Sequence, residues 1–152
     1  MKRHPSLAPL SRDHHHALVE AKHLRSIAPD SSDNARLALG KRLLDFCHSE
    51  LEPHFQEEEV GLLPLFGRFV ERDDPDLAET LLQHVAIRAG VDAVAERIEC
   101  GEAPEAEQLK HVGNLLREHV RYEETRLFPA VEERVPEAAL ERLLAKLEGS
   151  AR

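Results

Sequence analysis

The chain has 152 residues, 41% of them hydrophobic and 32% charged, which suits one folded domain and excludes a disordered chain. Its net charge of −9 argues against nucleic acid or an anionic membrane surface as the main partner, since both require a basic face. No apolar run approaches a membrane span, no hydrophobic stretch follows the basic start Lys2-Arg3-His4, and two cysteines, Cys47 and Cys100, make no disulfide framework; a cytoplasmic protein is expected.

The first predicted helix covers roughly residues 7–28, where Leu10, His14, Ala17, Ala21, Leu24 and Ala28 recur at spacings of four and three, one stripe of a helix. Pro29-Asp30-Ser31-Ser32-Asp33 reads as a turn with Asp33 as the N-cap. The second helix is expected over residues 34–70. Pro53 inside it removes a backbone hydrogen bond and predicts a kink near Ser49, and Pro64 predicts an end or a second bend. The third runs over residues 75–99 and is closed by Cys100-Gly101. Pro104 opens a fourth to about residue 135, with a kink before Pro129, and Pro136 opens a fifth that ends near Gly149. Nothing shows strand alternation. The expected fold is all-α: an up-down-up-down four-helix bundle with a short C-terminal fifth helix, one domain over residues 1–152.

Ten histidines ask for a chemical reason, and an internal repeat supplies one. His54-Phe55-Gln56-Glu57-Glu58-Glu59-Val60-Gly61-Leu62-Leu63-Pro64 and His119-Val120-Arg121-Tyr122-Glu123-Glu124-Thr125-Arg126-Leu127-Phe128-Pro129 both read H-x-x-x-E-E-x-x-L-[LF]-P. The offset is 65 throughout (119 − 54 = 65; 129 − 64 = 65). Such a repeat suggests two helix pairs related by a pseudo-twofold axis. Residues four apart share a helix face, so His54 with Glu58, and His119 with Glu123, can both point inward. The first and third helices would add His14 or His15, and His84. Four imidazoles and two carboxylates overfill one zinc ion. They suit two octahedral ions with Glu58 and Glu123 as bridges and two histidines on each. That donor set favours iron, with manganese or zinc ranking behind. Close, buried carboxylates are also costly without cations between them.

On these residues the chain resembles the hemerythrin-like, or HHE cation-binding, family. The resemblance rests on Leu10-Ser11-Arg12-Asp13-His14-His15, on the two repeated segments, and on Gln83-His84-Val85-Ala86-Ile87-Arg88, and spans roughly residues 7–135. It implies a four-helix bundle holding a non-haem di-iron centre with an oxo or hydroxo bridge. It also implies dioxygen or another small diatomic ligand as partner, in oxygen binding, in oxygen or iron sensing, or in iron–sulfur repair. The chain departs from the oxygen carriers of that family in two ways. Arg88 stands where they have a second histidine on the third helix, and the fourth-helix carboxylate is Glu123, four after His119, in place of an aspartate five after. The departures imply a more symmetric and more open site, and shift weight from reversible carriage to oxidation chemistry or sensing.

Periodicity favours His14 on the first helix, while His15, three before Leu18, suits family usage; both stay candidates. Glu57, Glu59 and Glu124 read as surface acids or as partners of the ligands. Arg88 neutralises a ligand carboxylate, or stacks over the site and restricts access, or pairs at the surface with Asp92 or Glu96. Cys47 reads as a buried, inert thiol. Two rival functions remain: an iron donor or storage module, which the lack of a dedicated cysteine pair disfavours, and a metal-free helical interaction module, which leaves the doubled motif unexplained. No His-Glu-x-x-His of a zinc protease occurs.

Overall fold

The computed structural model describes residues 2–149. Among these there is no strand, and five helices follow one another. Helix α1 is Ala8–Arg25. Helix α2 covers residues 33–66 in five segments: Asp33–Phe46, a π-helical turn Cys47–Leu51, Glu52–Glu57, a second π turn Glu58–Leu62, and Leu63–Phe66. Helix α3 is Pro75–Glu99. Helix α4 covers residues 106–134 as Ala106–Tyr122, a π turn Glu123–Leu127, and Phe128–Arg134. Helix α5 is Glu137–Gly149. Among the described residues no helix is long and apolar enough to cross a membrane.

Local chemistry explains the boundaries. Ser32, not Asp33, caps α2: its side chain accepts from the Ala35 amide at 3.1 Å. Asp74 caps α3 by accepting from the amides of Asp76 and Leu77. Gly101, at φ 77°, lets the chain turn out of α3, so that the Glu102 amide reaches the Arg97 carbonyl at 2.9 Å. Glu105 and Gln108 form a reciprocal capping box on α4.

The three internal prolines share one solution. Pro53, Pro64 and Pro129 each follow a π turn, and the amide just before each proline reaches back five residues, to the carbonyls of Cys47, Glu58 and Glu123 respectively. The wider turn takes up the missing proline donor and the crowding of its ring. Thus α2 runs on through Pro53 and α4 through Pro129, while α2 ends at Phe66, two residues after Pro64.

Helix α1 packs mainly along α4, α4 along α3, and α2 against α3 and α1. The apolar interior is split in two. One cluster joins Leu7 and Leu10 to Leu62, Phe66, Leu127, Phe128, Val131 and the inner face of α5 (Leu140, Leu143, Leu147). The other joins Ala17, Ala21 and Leu24 to Leu43, Phe55, Ile87, Val94, Leu109, Val112 and Leu116. On α1, α2 and α4 the chain passes from one cluster to the other at a buried polar residue: His14, Glu58 and Glu123. A polar layer therefore lies across the middle of the core, between two apolar halves.

Candidate metal centre

That layer holds His14, His54, Glu58, His84, His119 and Glu123, all buried, with Glu58, His84 and Glu123 at 0% exposure. Their donor atoms form two overlapping groups, His14, His54, Glu58 and Glu123, and Glu58, His84, His119 and Glu123. Within each group the atoms lie within 4.8 Å of one another, close enough to hold a metal ion. The two carboxylates belong to both groups. The repeat explains this placement: each His-x-x-x-Glu segment puts an imidazole and a carboxylate on one face of α2 or α4. Both glutamates open a π turn, a distortion that often marks functional positions in helices.

Every imidazole is anchored through Nδ1 and turned inward at Nε2. His14 Nδ1 donates to Glu124 at 2.7 Å, His54 Nδ1 to Asp13 at 3.0 Å, His84 Nδ1 to Glu59 at 2.7 Å and His119 Nδ1 to Gln83 Oε1 at 2.9 Å. A neutral imidazole with its proton on Nδ1 would present a lone pair at Nε2 to a cation. The Nε2 atoms face carboxylate oxygens: His14 Nε2 hydrogen-bonds Glu123 at 2.8 Å, His54 and His84 Nε2 each lie 3.1 Å from Glu58, and His119 Nε2 3.3 Å from Glu123. Among the described residues, the Nε2 atoms of His54, His84 and His119, both Glu58 oxygens and Glu123 Oε1 find no hydrogen-bond partner. Buried polar atoms are ordinarily satisfied. Six orphaned atoms converging on one volume are the arrangement that cations would satisfy, and the donor set fits them.

Without cations, protons carry the balance. Burial lowers the pKa of His14, but its hydrogen bonds to Glu123 and Glu124 prevail and lift it to about 9. Burial likewise opposes, and contacts to Glu123 and Glu58 outweigh, at His84, also about 9. His54 is raised well above its ordinary value because the Glu58 charge and the Asp13 bond overcome its burial. His119 goes the other way: burial, only partly offset by Glu123, pushes it down to about 3. Burial alone would raise Glu58, but the His54 and His84 partners hold it well below the carboxylate range. Protons and metal ions would compete for the same Nε2 atoms.

The anchors follow the pseudo-twofold pattern. The residue after each buried glutamate holds a histidine of another helix, Glu59 holding His84 and Glu124 holding His14. The residue before each first- or third-helix histidine does the same, Asp13 holding His54 and Gln83 holding His119. Glu59 and Glu124 thus serve as partners of the inner residues. Asp13 and Gln83 carried no role in the sequence; their position immediately before His14 and His84 was the available signal. His15 is exposed and lies outside both groups, whereas His14 takes part in one.

Arg88 pairs with Glu52 at 2.6 Å and Glu59 at 2.7 Å, not with Asp92 or Glu96, and its guanidinium sits 5.2 Å above the Phe55 ring. Phe55 in turn stacks on His84, ring centroids 3.9 Å apart. Arg3 pairs with Glu124 at 2.8 Å, lies over Phe128, and Phe128 stacks on His14. These two groups cover the rings of His84 and His14, and the six inner residues are buried. A small, partly open cavity of about 10 Å³ adjoins the centre, lined by Ala17, Phe46, Leu51, Leu116 and Val120, by Asp13 and Glu50, and by His14, His54 and His119. That is space for one water-sized molecule. Tyr122 faces away and donates to Asp76 at 2.6 Å.

An all-helical protein with a buried, anchored cluster of imidazoles and carboxylates able to hold cations is the class that this fold and site define. The family model described as the hemerythrin HHE cation binding domain matches residues 7–131, and the chain belongs to that family. No curated protein and no solved structure matches it.

Proposed function

We propose that the chain is a non-haem di-iron protein of hemerythrin type, which binds or reacts with dioxygen or senses oxygen or iron. His14 and His54 would hold one ion, His84 and His119 the other, and Glu58 and Glu123 would serve both. The observation that carries this reading is the pair of overlapping donor groups sharing two carboxylates, with their inward atoms orphaned. Two like-charged carboxylates at 0% exposure repel strongly unless positive charge stands between them. The short connections between helices, and the packing of α1 on both α4 and α2, support helices that alternate in direction, up-down-up-down.

The chemistry that such ions supply is electron transfer to a small bound molecule. The protein's share is to orient and to exclude. Nδ1 bonds to Asp13, Glu59, Gln83 and Glu124 fix each ring, so the donor atoms need no rearrangement to bind. Phe55 and Phe128 cover the rings, and the apolar walls of the adjoining cavity favour an uncharged diatomic over a hydrated anion.

The test is anaerobic loading of the metal-free protein with ferrous iron, followed by exposure to air. Two irons per chain and a near-ultraviolet absorption that grows on oxidation are expected. One zinc per chain after purification and no uptake of iron would defeat the reading.

A further inference from the structure

The two halves of the centre differ in the chemistry that anchors their imidazoles. His14 and His84 are each anchored by a glutamate that is itself paired with an arginine, Glu124 with Arg3 at 2.8 Å and Glu59 with Arg88 at 2.7 Å. Each of these anchors has its charge partly balanced by an arginine, and Glu124 also accepts from Ser11 Oγ. His54 is anchored by the Asp13 carboxylate at 3.0 Å, but its counterpart His119 by the Gln83 amide at 2.9 Å. The Gln83 orientation is set from behind, because its Nε2 donates to Glu79 at 3.0 Å, leaving the carbonyl oxygen for His119. Glu79 is itself exposed, so solvent screens its charge.

From this asymmetry we infer that the two cation positions are unequal, and that the position between His14 and His54 fills first, with Asp13 and Gln83 as the residues that set the order. The inference rests on the di-metal reading above. A carboxylate behind an imidazole makes Nε2 a stronger donor and adds a negative charge near the cation; a neutral amide orients the ring without adding charge. Partners of this kind change metal affinity by about 10–100-fold, and the two binding steps are expected to differ by that factor.

The reciprocal variants separate charge from structure. Asp13→Asn keeps the shape and an acceptor oxygen and removes the charge; Gln83→Glu adds a charge at the matching place. The metal-free full chain is titrated anaerobically with cobalt(II), followed by calorimetry and by the visible cobalt bands. Wild type should take up two ions in two resolved steps. Asp13→Asn should weaken the first step and Gln83→Glu should strengthen the second, so each brings the steps together from the opposite side. A purely structural role would weaken both steps in both variants, and circular dichroism of the metal-free forms checks that the helices persist. Two equal steps in wild type, or variants that shift both steps in parallel, overturn the inference while leaving the di-metal reading intact. Uptake of a single ion, or of none, overturns that reading as well.

Discussion

Glu58→Gln is the most demanding perturbation of the centre. Glu58 is fully buried, lies 3.1 Å from both His54 and His84 Nε2, and belongs to both donor groups. Glutamine keeps the shape, so the core loses no volume, but a shared anionic ligand becomes a neutral one with a donor NH2. A metal that binds only the folded chain stabilises it by about 4 kcal/mol per site at a thousand times its Kd. In a domain of this size each kcal/mol moves Tm by about 2–4 °C, so the first ion alone should raise wild-type Tm by about 8–16 °C. Loss of a shared carboxylate should weaken binding by about a thousandfold or more, a larger factor than the 10–100-fold of an outer partner. At the same metal concentration the variant then gains only about 0.4 kcal/mol, or roughly 1 °C. The assay is thermal unfolding with and without iron(II) under anaerobic conditions, with metal content measured on the same samples. A variant that keeps two ions per chain and a wild-type thermal shift would refute the role given to Glu58.

The metal-free protein should show a stability maximum near pH 6.5. His14 and His84 sit at about 9 when folded against 6.5 ordinarily, so their stabilisation is full below about 6.5 and fades as pH climbs through 9. His119, depressed to about 3, costs stability as pH falls below 6.5; a metal-free Tm that holds constant or rises from pH 6.5 to 9 would contradict this. Gly113→Ala should destabilise by about 1–3 kcal/mol, because its Cβ would meet Arg25 Cγ at 2.7 Å and the Ala21 carbonyl at 2.9 Å, where α1 presses on α4; an unchanged denaturation midpoint would show that the contact yields freely. Cys47, whose thiol burial pushes up to about 12, should resist alkylation at pH 8 in the folded chain while exposed Cys100 reacts; equal rates, read by mass spectrometry, would mean that α2 opens.

Much of the site was legible because its spacing is local. His54 with Glu58, and His119 with Glu123, share a face in any α-helix, and the repeat at a constant offset pointed to both pairs at once. Helix ends were legible for the same reason, since prolines and Gly101 act within a turn or two. The π turns were not: proline in a helix allows a kink, a stop or a widened turn, and packing on both sides chose the last at Pro53 and Pro129.

What the sequence determined by itself, then, is the set of helices and the inward pairs on α2 and α4, because backbone geometry alone puts residues four apart on one side. Tertiary structure decided what depends on how helices rotate and slide against one another. It put His14 inside and left His15 exposed, a choice between neighbours about 100° apart on one helix. It matched Asp13, Glu59, Gln83 and Glu124 with imidazoles of other helices, and it brought Arg3 and Arg88 over Phe128 and Phe55. Arg3 and Glu124 are 121 residues apart in the chain, and no local rule brings them together.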